Sequence, residues 1–441
     1  MNINTQHFNN ANTIRHPFAP RPRTIEETGL TFDFIASLLC KHLHVNGIAD
    51  LQQLTENVAL AGNILEIVLD DLRTHGRVEI LAASHTSKGS RYQLTDKGVA
   101  DALVALNKSG YTGPAPVPIE QYRTTVKAQS VKNCKITRSD VQNAFSDTTV
   151  EPTLLDQLGP ALHSGRAIMI YGHAGTGKTY ICKRLTRLLG ESIYVPYAIS
   201  VGESVVQLFD PVIHIPVKED GERTSPHILQ GVDPRYIKCL RPTAVSGGEL
   251  TLDMLEIDHD KNTRLSQAPL QLKANNGMYI IDDLGRQRVP PIDLFNRWIV
   301  PLEEKHDYLS LDTGKRVQIP FDVILIFSSN INPVDLADEA FLRRLGYKIR
   351  FAPVNKEQYI QIWHQYANEF QLDCPDSLLD GIFERYQNEH KPLLPCHPRD
   401  LLGIVRDQCE YEGDIALATA DRLRIAWDTY FINLDNARIE E

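Results

Sequence analysis

The chain has 441 residues, a formal net charge of −10 and a pI of about 5.9, with 42% hydrophobic and 23% charged residues. This length and apolar content predict a multidomain protein with packed cores and exclude a chain too polar to fold. The acidic balance argues against strong long-range attraction to nucleic acid or to an anionic membrane.

The seven cysteines are scattered and contain no Cys-x-x-Cys pair. An odd, scattered set is typical of reduced thiols, not of a disulfide framework or a zinc site, so we expect a cytoplasmic protein. No apolar run approaches 18 residues, and the polar stretch from Met1 to Asn12 lacks the apolar segment of a signal peptide. We therefore expect neither membrane insertion nor export.

The first 112 residues divide into a tail and a small domain. Residues 1–28 are predicted to be a disordered tail, because Asn-rich sequence is followed by closely spaced prolines. Within 29–112, apolar periodicity predicts helices at 32–43, 51–56 and 63–74, strands at 77–81 and 91–94, and a last helix at 95–106. This order predicts a winged-helix domain, and Leu94-Thr-Asp-Lys-Gly resembles a stretch of winged-helix regulators.

The ligand of this domain is inferred from charge. A DNA-reading helix needs basic and amide side chains directed at the groove and the phosphates. The helix at 63–74 carries three acidic residues against one basic residue, namely Glu66, Asp70, Asp71 and Arg73. Protein recognition is therefore favoured over DNA binding, although Lys88 and Arg91 near the predicted wing keep DNA as an alternative.

The middle of the chain is predicted to begin with a connector. Pro114, Pro116 and Pro118 alternate in an extended stretch, and polar sequence continues to about Asp147. We therefore expect a linker at residues 113–150.

The remainder is predicted to form an α/β domain at 151–352 and a helical lid domain at 353–441. In the first of these, short apolar runs are each followed by polar residues, at 167–171, 278–281 and 323–327. Such runs are typical of buried parallel strands whose carboxyl ends carry a site. After about Pro353 the apolar residues take helical spacing, which predicts the lid.

A phosphate-binding loop lies between the first of these runs and a helical pattern. It satisfies G-x-x-x-x-G-K-[ST] with Gly172, His173, Ala174, Gly175, Thr176, Gly177, Lys178 and Thr179. The glycines let backbone N–H groups approach phosphate oxygens, Lys178 neutralises the β and γ phosphates, and Thr179 supplies an oxygen to Mg²⁺. The loop therefore predicts binding of ATP with Mg²⁺.

The run at 278–281 ends in two carboxylates, Asp282 and Asp283. Mg²⁺ prefers oxygen ligands, so Asp282 is expected to hold the ion through water. The alternative is that both residues only cap the turn at Leu284-Gly285.

With these motifs in this order, residues 150–437 resemble the AAA+ family of ATPases, an α/β P-loop NTPase core with a C-terminal helical lid. The resemblance implies that Asn330 is the sensor 1 residue, lying between the acidic and P-loop strands. It implies an arginine finger for a neighbouring subunit's ATP at Arg343 or Arg344, a choice that the sequence leaves open, and a sensor 2 residue at Arg399. The resemblance also places Asp283 where the family most often has a glutamate that orients the attacking water. The shorter side chain departs from the family, so slow hydrolysis is one expectation.

Two further features indicate which group of AAA+ proteins the chain resembles. Residues 308–320 alternate about a Gly-containing turn, which predicts a hairpin like the pre-sensor hairpin of MoxR-type proteins. Lys178 and Asp282 are 104 positions apart, which suggests an inserted hairpin or loops that either face a central pore or decorate the surface. The arrangement is also similar to bacterial winged-helix plus AAA+ proteins described as predicted ATPases with chaperone activity, notably at 111–119, 283–287 and 296–302.

These observations predict an ATPase that forms a ring, expected to be hexameric, and that remodels or assembles a protein partner recruited by the N-terminal domain. Two alternatives stay open. One is an ATP-dependent, DNA-associated regulator, and the other is a nucleotide switch that hydrolyses ATP negligibly because Asp283 is short. The sequence contains no H-E-x-x-H motif, and no Ser/His/Asp triad was recognised, so any proteolysis would need another chain.

Overall fold

The computed structural model describes residues 20–81, 90–217 and 231–431. The α-helices in these ranges are α1 Ile25–Thr28, α2 Phe32–Asn46, α3 Leu51–Val58, α4 Gly62–Thr74, α5 Asp96–Lys108, α6 Ile119–Ala128, α7 Arg138–Ala144, α8 Pro152–His163, α9 Lys178–Leu185, α10 Leu270–Lys273, α11 Pro291–Glu304, α12 Pro333–Leu336, α13 Glu339–Arg344, α14 Lys356–Glu369, α15 Ser377–Asn388, α16 Cys396–Glu412 and α17 Ala420–Tyr430. Within the described residues, none of these helices has both the length and the apolar character needed to cross a bilayer.

The strands in the same ranges are mostly short. They are β1 Ile48–Asp50, β2 Val78–Leu81, β3 Arg91–Leu94, β4 Val117–Pro118, β5 Ile168–Gly172, β6 Ser192–Pro196, β7 Ala198–Val201, β8 Ser204–Gln207, β9 Tyr236–Leu240, β10 Thr243–Ser246, β11 Asp258–Asp260, β12 Leu265–Gln267, β13 Met278–Ile281, β14 His306–Ser310, β15 Arg316–Pro320, β16 Ile324–Ser329 and β17 Tyr347–Phe351.

The N-terminal unit packs helices α2 to α5 on a three-stranded sheet of order β1-β3-β2. Side chains at the predicted helix starts cap these helices: Thr31 caps α2, Asp50 forms a capping box on α3, and Thr95 caps α5. The predicted helices and the two predicted strands are confirmed with shifted ends, whereas β1 was not predicted. A three-residue strand with one buried residue leaves too short a pattern to recognise.

The tail prediction is wrong for the residues that the structure describes. Thr24 caps α1, and Thr28 at the end of this helix is fully buried. Closely spaced prolines therefore end before an ordered helix begins, and capping residues mark its start. Residues 1–19 and Lys88 lie outside the described residues.

The linker prediction is also wrong, because residues 113–150 contain β4, α6 and α7. β4 pairs in parallel with β7, and α6 buries Tyr122 and Val126 one helical turn apart. Only these two side chains of α6 are buried. Most positions of this helix are polar, so its apolar spacing is too weak to distinguish it from a connector in the sequence.

The core sheet contains five parallel strands in the order β10-β13-β16-β5-β17. Two apolar clusters cover its faces, which explains why its central strands read as continuous apolar runs. β16 lies between β13 and β5, so the carboxyl ends of these three strands meet at one edge. Helices α14 to α17 form a separate cluster of buried aromatic and aliphatic residues above this edge.

The segment between α9 and β13 is much larger than the predicted hairpin or loops. It supplies β7, β8, β11 and β12 to a second sheet of order β11-β12-β8-β7-β4, and it also contains the antiparallel pair β6–β9. The predicted hairpin is confirmed as β14–β15, with Leu309 opposite Val317.

Candidate functional site

The loop between β5 and α9 depends on three glycines with positive φ. Gly172, Gly175 and Gly177 have φ values of 150°, 81° and 84°, which other residues rarely adopt. A Cβ at Gly172 would lie 2.2 Å from the backbone oxygen of Phe351, and one at Gly175 would lie 2.5 Å from the Cys396 Sγ. The loop is therefore packed against both β17 and the start of α16, with its residues 173–177 wrapped above the end of the sheet.

Lys178 begins α9 and turns its side chain back over the loop. Its Nζ donates to the backbone oxygens of Gly172 and His173, both at 2.9 Å, and to the Asn330 Oδ1 at 2.6 Å. Burial lowers the pKa of Lys178, while Asp282 and Asp283 oppose this shift. The ammonium is thus buried at the edge where strands end, held mainly by neutral oxygens.

Thr179 and Asp282 form the part of the site suited to a divalent cation. The Thr179 hydroxyl donates to the Asp282 Oδ2 at 2.6 Å, and the other carboxylate oxygen accepts from the backbone N–H of Asp283 at 3.0 Å. These are hydroxyl and carboxylate oxygens, the hard donors that Mg²⁺ prefers. The residues therefore fit Mg²⁺. The alternative, that the two carboxylates cap the turn at Leu284-Gly285, is wrong, because the N–H groups of Leu284 and Gly285 donate to the Ser328 oxygen and to the Gln287 Oε1.

Asp283 and Asn330 join the acidic edge to Lys178. Asp283 has φ of 50°, an unusual conformation for a residue other than glycine. The Asn330 Nδ2 donates to the Asp283 Oδ1 at 3.1 Å, while its Oδ1 accepts from Lys178. Because β16 lies between the P-loop strand and the acidic strand, Asn330 bridges the two, as expected from its position in the sequence.

The turn after Asp283 carries a residue that was not assigned to the site from the sequence. Arg286 lines the cleft, and its turn is held by Gln287, whose Nε2 donates to the backbone oxygens of Gly247 and Asp282, both at 3.2 Å. Arg286 belongs to the stretch 283–287 noted for its resemblance. A basic residue close to two carboxylates at a strand end was the feature of the sequence that could have assigned Arg286 to the site.

The cleft has a volume of about 640 Å³ and lies between the core sheet and the lid helices. Apolar residues also line it, including Val150, Leu154, Ile181, Val354 and Ile362. Arg350 on β17 and Cys396 line the cleft as well, and neither was assigned to the site from the sequence. A cleft that combines charged and apolar side chains suits a phosphorylated ligand with an apolar ring.

The three arginines predicted for the site are placed differently. Arg399 lines the cleft and is hydrogen-bonded to Asp400 at 2.9 Å. Arg343 and Arg344 do not line it. The Arg343 side chain is 75% exposed and pairs with Glu339, whereas Arg344 is 26% exposed and donates to Glu303 at 2.7 Å. Only Arg399 therefore belongs to the same chain's cleft.

The parallel sheet, the glycine-rich loop and the acidic strand end together form the core of a P-loop NTPase fold. In comparisons with known proteins, residues 355–429 match a family described as a domain of unknown function (DUF8689). Among proteins of curated function, none matches the sequence. The family match covers lid helices only, so the fold of the core depends on its own strand order and loop.

Solved structures give distant likenesses. The RuvB Holliday junction branch migration motor of Thermotoga maritima has a TM-score of 0.36 and 12% identity, covering 69% of this chain and 74% of that chain. NtrX from Brucella abortus has a TM-score of 0.39 and 14% identity, covering 61% of this chain and 52% of that chain. Neither likeness adds to the description of the site.

Proposed function

We propose that this protein is an AAA+ ATPase that works as a ring, which we expect to be hexameric, and uses ATP hydrolysis to remodel or assemble a protein partner. The observation that carries the proposal is the linked set of Lys178, Asn330 and Asp283 across three neighbouring strand ends, beside the Thr179–Asp282 pair. This set provides a cation for phosphate, oxygens for Mg²⁺ and a carboxylate for water within one cleft.

Each residue of this cleft has a separate role in phosphoryl transfer. Lys178 and the loop N–H groups hold the phosphates, and Thr179 and Asp282 hold Mg²⁺, which supplies positive charge to the phosphate oxygens when bound. Asp283 orients the attacking water and accepts its proton, and Asn330 positions the Asp283 carboxylate. Because Lys178 contacts Asn330 in the structure, binding of phosphate to Lys178 also changes the surroundings of Asp283.

The short side chain of Asp283 supports a second candidate function, a nucleotide switch. Its side chain is one methylene shorter than glutamate, and its Oδ1 accepts a hydrogen bond from the Asn330 Nδ2 at 3.1 Å. Catalysis depends on placement to about 1 Å, so a carboxylate held one methylene back lies too far from the attacking water unless the backbone comes closer. If the backbone does not come closer, the protein is a nucleotide switch that binds ATP without appreciable turnover.

Arg343 is the better candidate for the arginine finger. Arg344 is held by Glu303 and by the backbone oxygen of Ala340, whereas Arg343 is largely exposed and has only an exposed i,i+4 partner. Such surface pairs are weak, so Arg343 can leave Glu339 for a neighbouring subunit's phosphate at little cost. Arg399 acts from the lid, once it exchanges Asp400 for phosphate.

The N-terminal unit is proposed to be a winged-helix domain that binds protein. Helix α4 exposes Glu66, Ile67 and Asp70 on one side. An exposed apolar residue between two carboxylates opposes DNA phosphates but suits a protein surface. DNA stays the alternative ligand, to be tested by binding of the full chain to duplex DNA at several salt concentrations.

The test of the ring ATPase is turnover as a function of protein concentration. We expect turnover per chain to rise with concentration, and Arg343→Ala to lower it about 10³-fold at saturation, as loss of an arginine finger does. Arg344→Ala is the matched control and is expected to lower it less than about tenfold, since it removes mainly a surface ion pair.

Mixing two inactive variants tests whether Arg343 acts on the ATP of a neighbouring subunit. A Lys178→Met chain retains Arg343, so equimolar mixing with Arg343→Ala should restore part of the activity if Arg343 acts on a neighbour. Absence of recovery, together with turnover independent of concentration, would refute the ring. ATP binding without turnover in the wild type at every concentration would favour the switch.

A further inference from the structure

Arg286 lines the cleft together with Asp282, Asp283, Asn330 and Lys178. Its side chain is exposed and makes no hydrogen bond or ion pair with any residue in the described parts of the chain. An unpaired guanidinium at the wall of a cleft retains all of its donors for a ligand.

The turn that carries Arg286 is rigid. Leu284 is buried, its N–H donates to the Ser328 oxygen at 2.8 Å, and its oxygen accepts from the Ser329 hydroxyl at 2.6 Å. Gly285 has φ of 101°, and its N–H donates to the Gln287 Oε1 at 2.8 Å. Arg286 therefore extends from a backbone that is hydrogen-bonded to the core sheet beside the acidic pair.

The two nearby carboxylates are already engaged. Thr179 donates to Asp282, and Asn330 donates to Asp283, so Arg286 stands beside acidic residues without neutralising them. Among the described residues, the other arginines lining the cleft are Arg399, which is paired with Asp400, and Arg350. β17, which carries Arg350, is three strands from β13, or about 14 Å away at ordinary strand spacing.

We propose that Arg286 binds the terminal phosphate of ATP in the cleft of its own chain and stabilises the negative charge of phosphoryl transfer there. In hydrolysis the water oxygen bonds to the γ-phosphorus, the bond to the bridging oxygen breaks with its electron pair leaving on ADP, and the water proton passes to a base. A guanidinium fork matches the equatorial phosphate oxygens of this step. This inference depends on the proposed ATPase function and adds a cation supplied in cis.

The test compares ATP with ADP in the full chain with Mg²⁺. Arg286→Ala should weaken ATP binding about 10- to 10²-fold, the usual range for a lost charged hydrogen bond, and leave ADP binding unchanged. Turnover at saturating ATP should fall as well, and Arg286→Lys should be intermediate because it keeps the charge but not the fork. Arg288→Ala is the matched control, since Arg288 is exposed two residues away and does not line the cleft.

Three outcomes would overturn the inference. The first is an Arg286→Ala protein that binds and hydrolyses ATP as Arg288→Ala does. The second is equal weakening of ATP and ADP, which would indicate a role away from the terminal phosphate. The third is recovery of activity on mixing Arg286→Ala with Lys178→Met, which would assign Arg286 to a neighbouring site. If wild-type ATP binding and turnover do not depend on Lys178, the proposed function itself fails.

Discussion

Arg235 and Arg286 carry the same guanidinium group in opposite environments, one buried with every donor used and the other exposed at the wall of the cleft. Arg235 is 1% exposed, pairs with the equally buried Asp233, and donates to the oxygens of Thr28, Pro116 and Gln121. Arg286 is exposed and has no side-chain partner among the described residues. A buried charge with all its donors used is costly to remove, because its partner is then left buried and unpaired, whereas a charge left unpaired at a cleft is available for a ligand.

Replacement of Arg235 should give the largest effect on stability. Arg235→Met leaves Asp233 buried without its partner, so the free energy of unfolding should fall by about 3–5 kcal/mol. Urea denaturation measures this change, and Arg424→Ala, at a side chain that is 62% exposed, should change it by less than about 0.5 kcal/mol. A similar value for the two variants would mean that the Arg235 contacts contribute little, and the distinction would be lost.

Replacement of Lys178 should affect turnover instead of stability. Lys178→Met should lower ATP turnover about 10²- to 10³-fold, as removal of one preorganised donor does. Its free energy of unfolding should change by less than about 1 kcal/mol, because the lost hydrogen bonds are offset by no longer burying a cation. Lys348→Met, at an exposed lysine outside the cleft, should change neither quantity. A Lys178→Met protein as unstable as Arg235→Met would show that Lys178 is mainly structural.

His397 should have a smaller, pH-dependent effect on stability. It lies in α16, the lid helix that also carries Arg399. It is buried, its Nδ1 is hydrogen-bonded to the Tyr386 hydroxyl at 2.7 Å, and burial lowers its pKa to about 4. The unfolded chain therefore binds the proton more readily, so stability is complete above about pH 6.5 and is lost as the pH falls towards 4, by at most about 3 kcal/mol.

The check is denaturation of the wild type and of His397→Phe between pH 7 and pH 4. The phenylalanine keeps a ring in the same place but cannot titrate, so the difference between the two proteins should change in favour of the variant as the pH falls. Parallel curves would show that His397 does not contribute to acid sensitivity.

The sequence predicted the cleft better than the region around Arg235, and the reason is physical. Three strands that contain continuous apolar runs end shortly before the residues of the cleft, so local patterns locate Lys178, Thr179, Asp282 and Asn330. The second sheet depends on pairing between distant segments, such as β4 with β7 and β12 with β8. Short strands of this kind carry no periodicity of their own.

The same limit applies to individual side chains. Nothing near Arg235 in the sequence indicates that its partners include Thr28 and Pro116, more than a hundred residues earlier. Which of Arg343 and Arg344 is held more firmly also depended on a distant residue, Glu303, the partner of Arg344. Arg286, by contrast, was within reach of sequence reasoning, because a basic residue beside a strand-ending acidic pair is a local feature.

The pairing of β4 with β7 has a mechanical consequence. The connector after the N-terminal unit becomes a strand of the inserted sheet, and the Arg264 guanidinium donates back to the Asn107 oxygen. A pull on the N-terminal unit would therefore act on the inserted sheet through the short β4–β7 pairing and through the contact of Arg264 with Asn107. Both contacts would have to break before the unit could move away from that sheet.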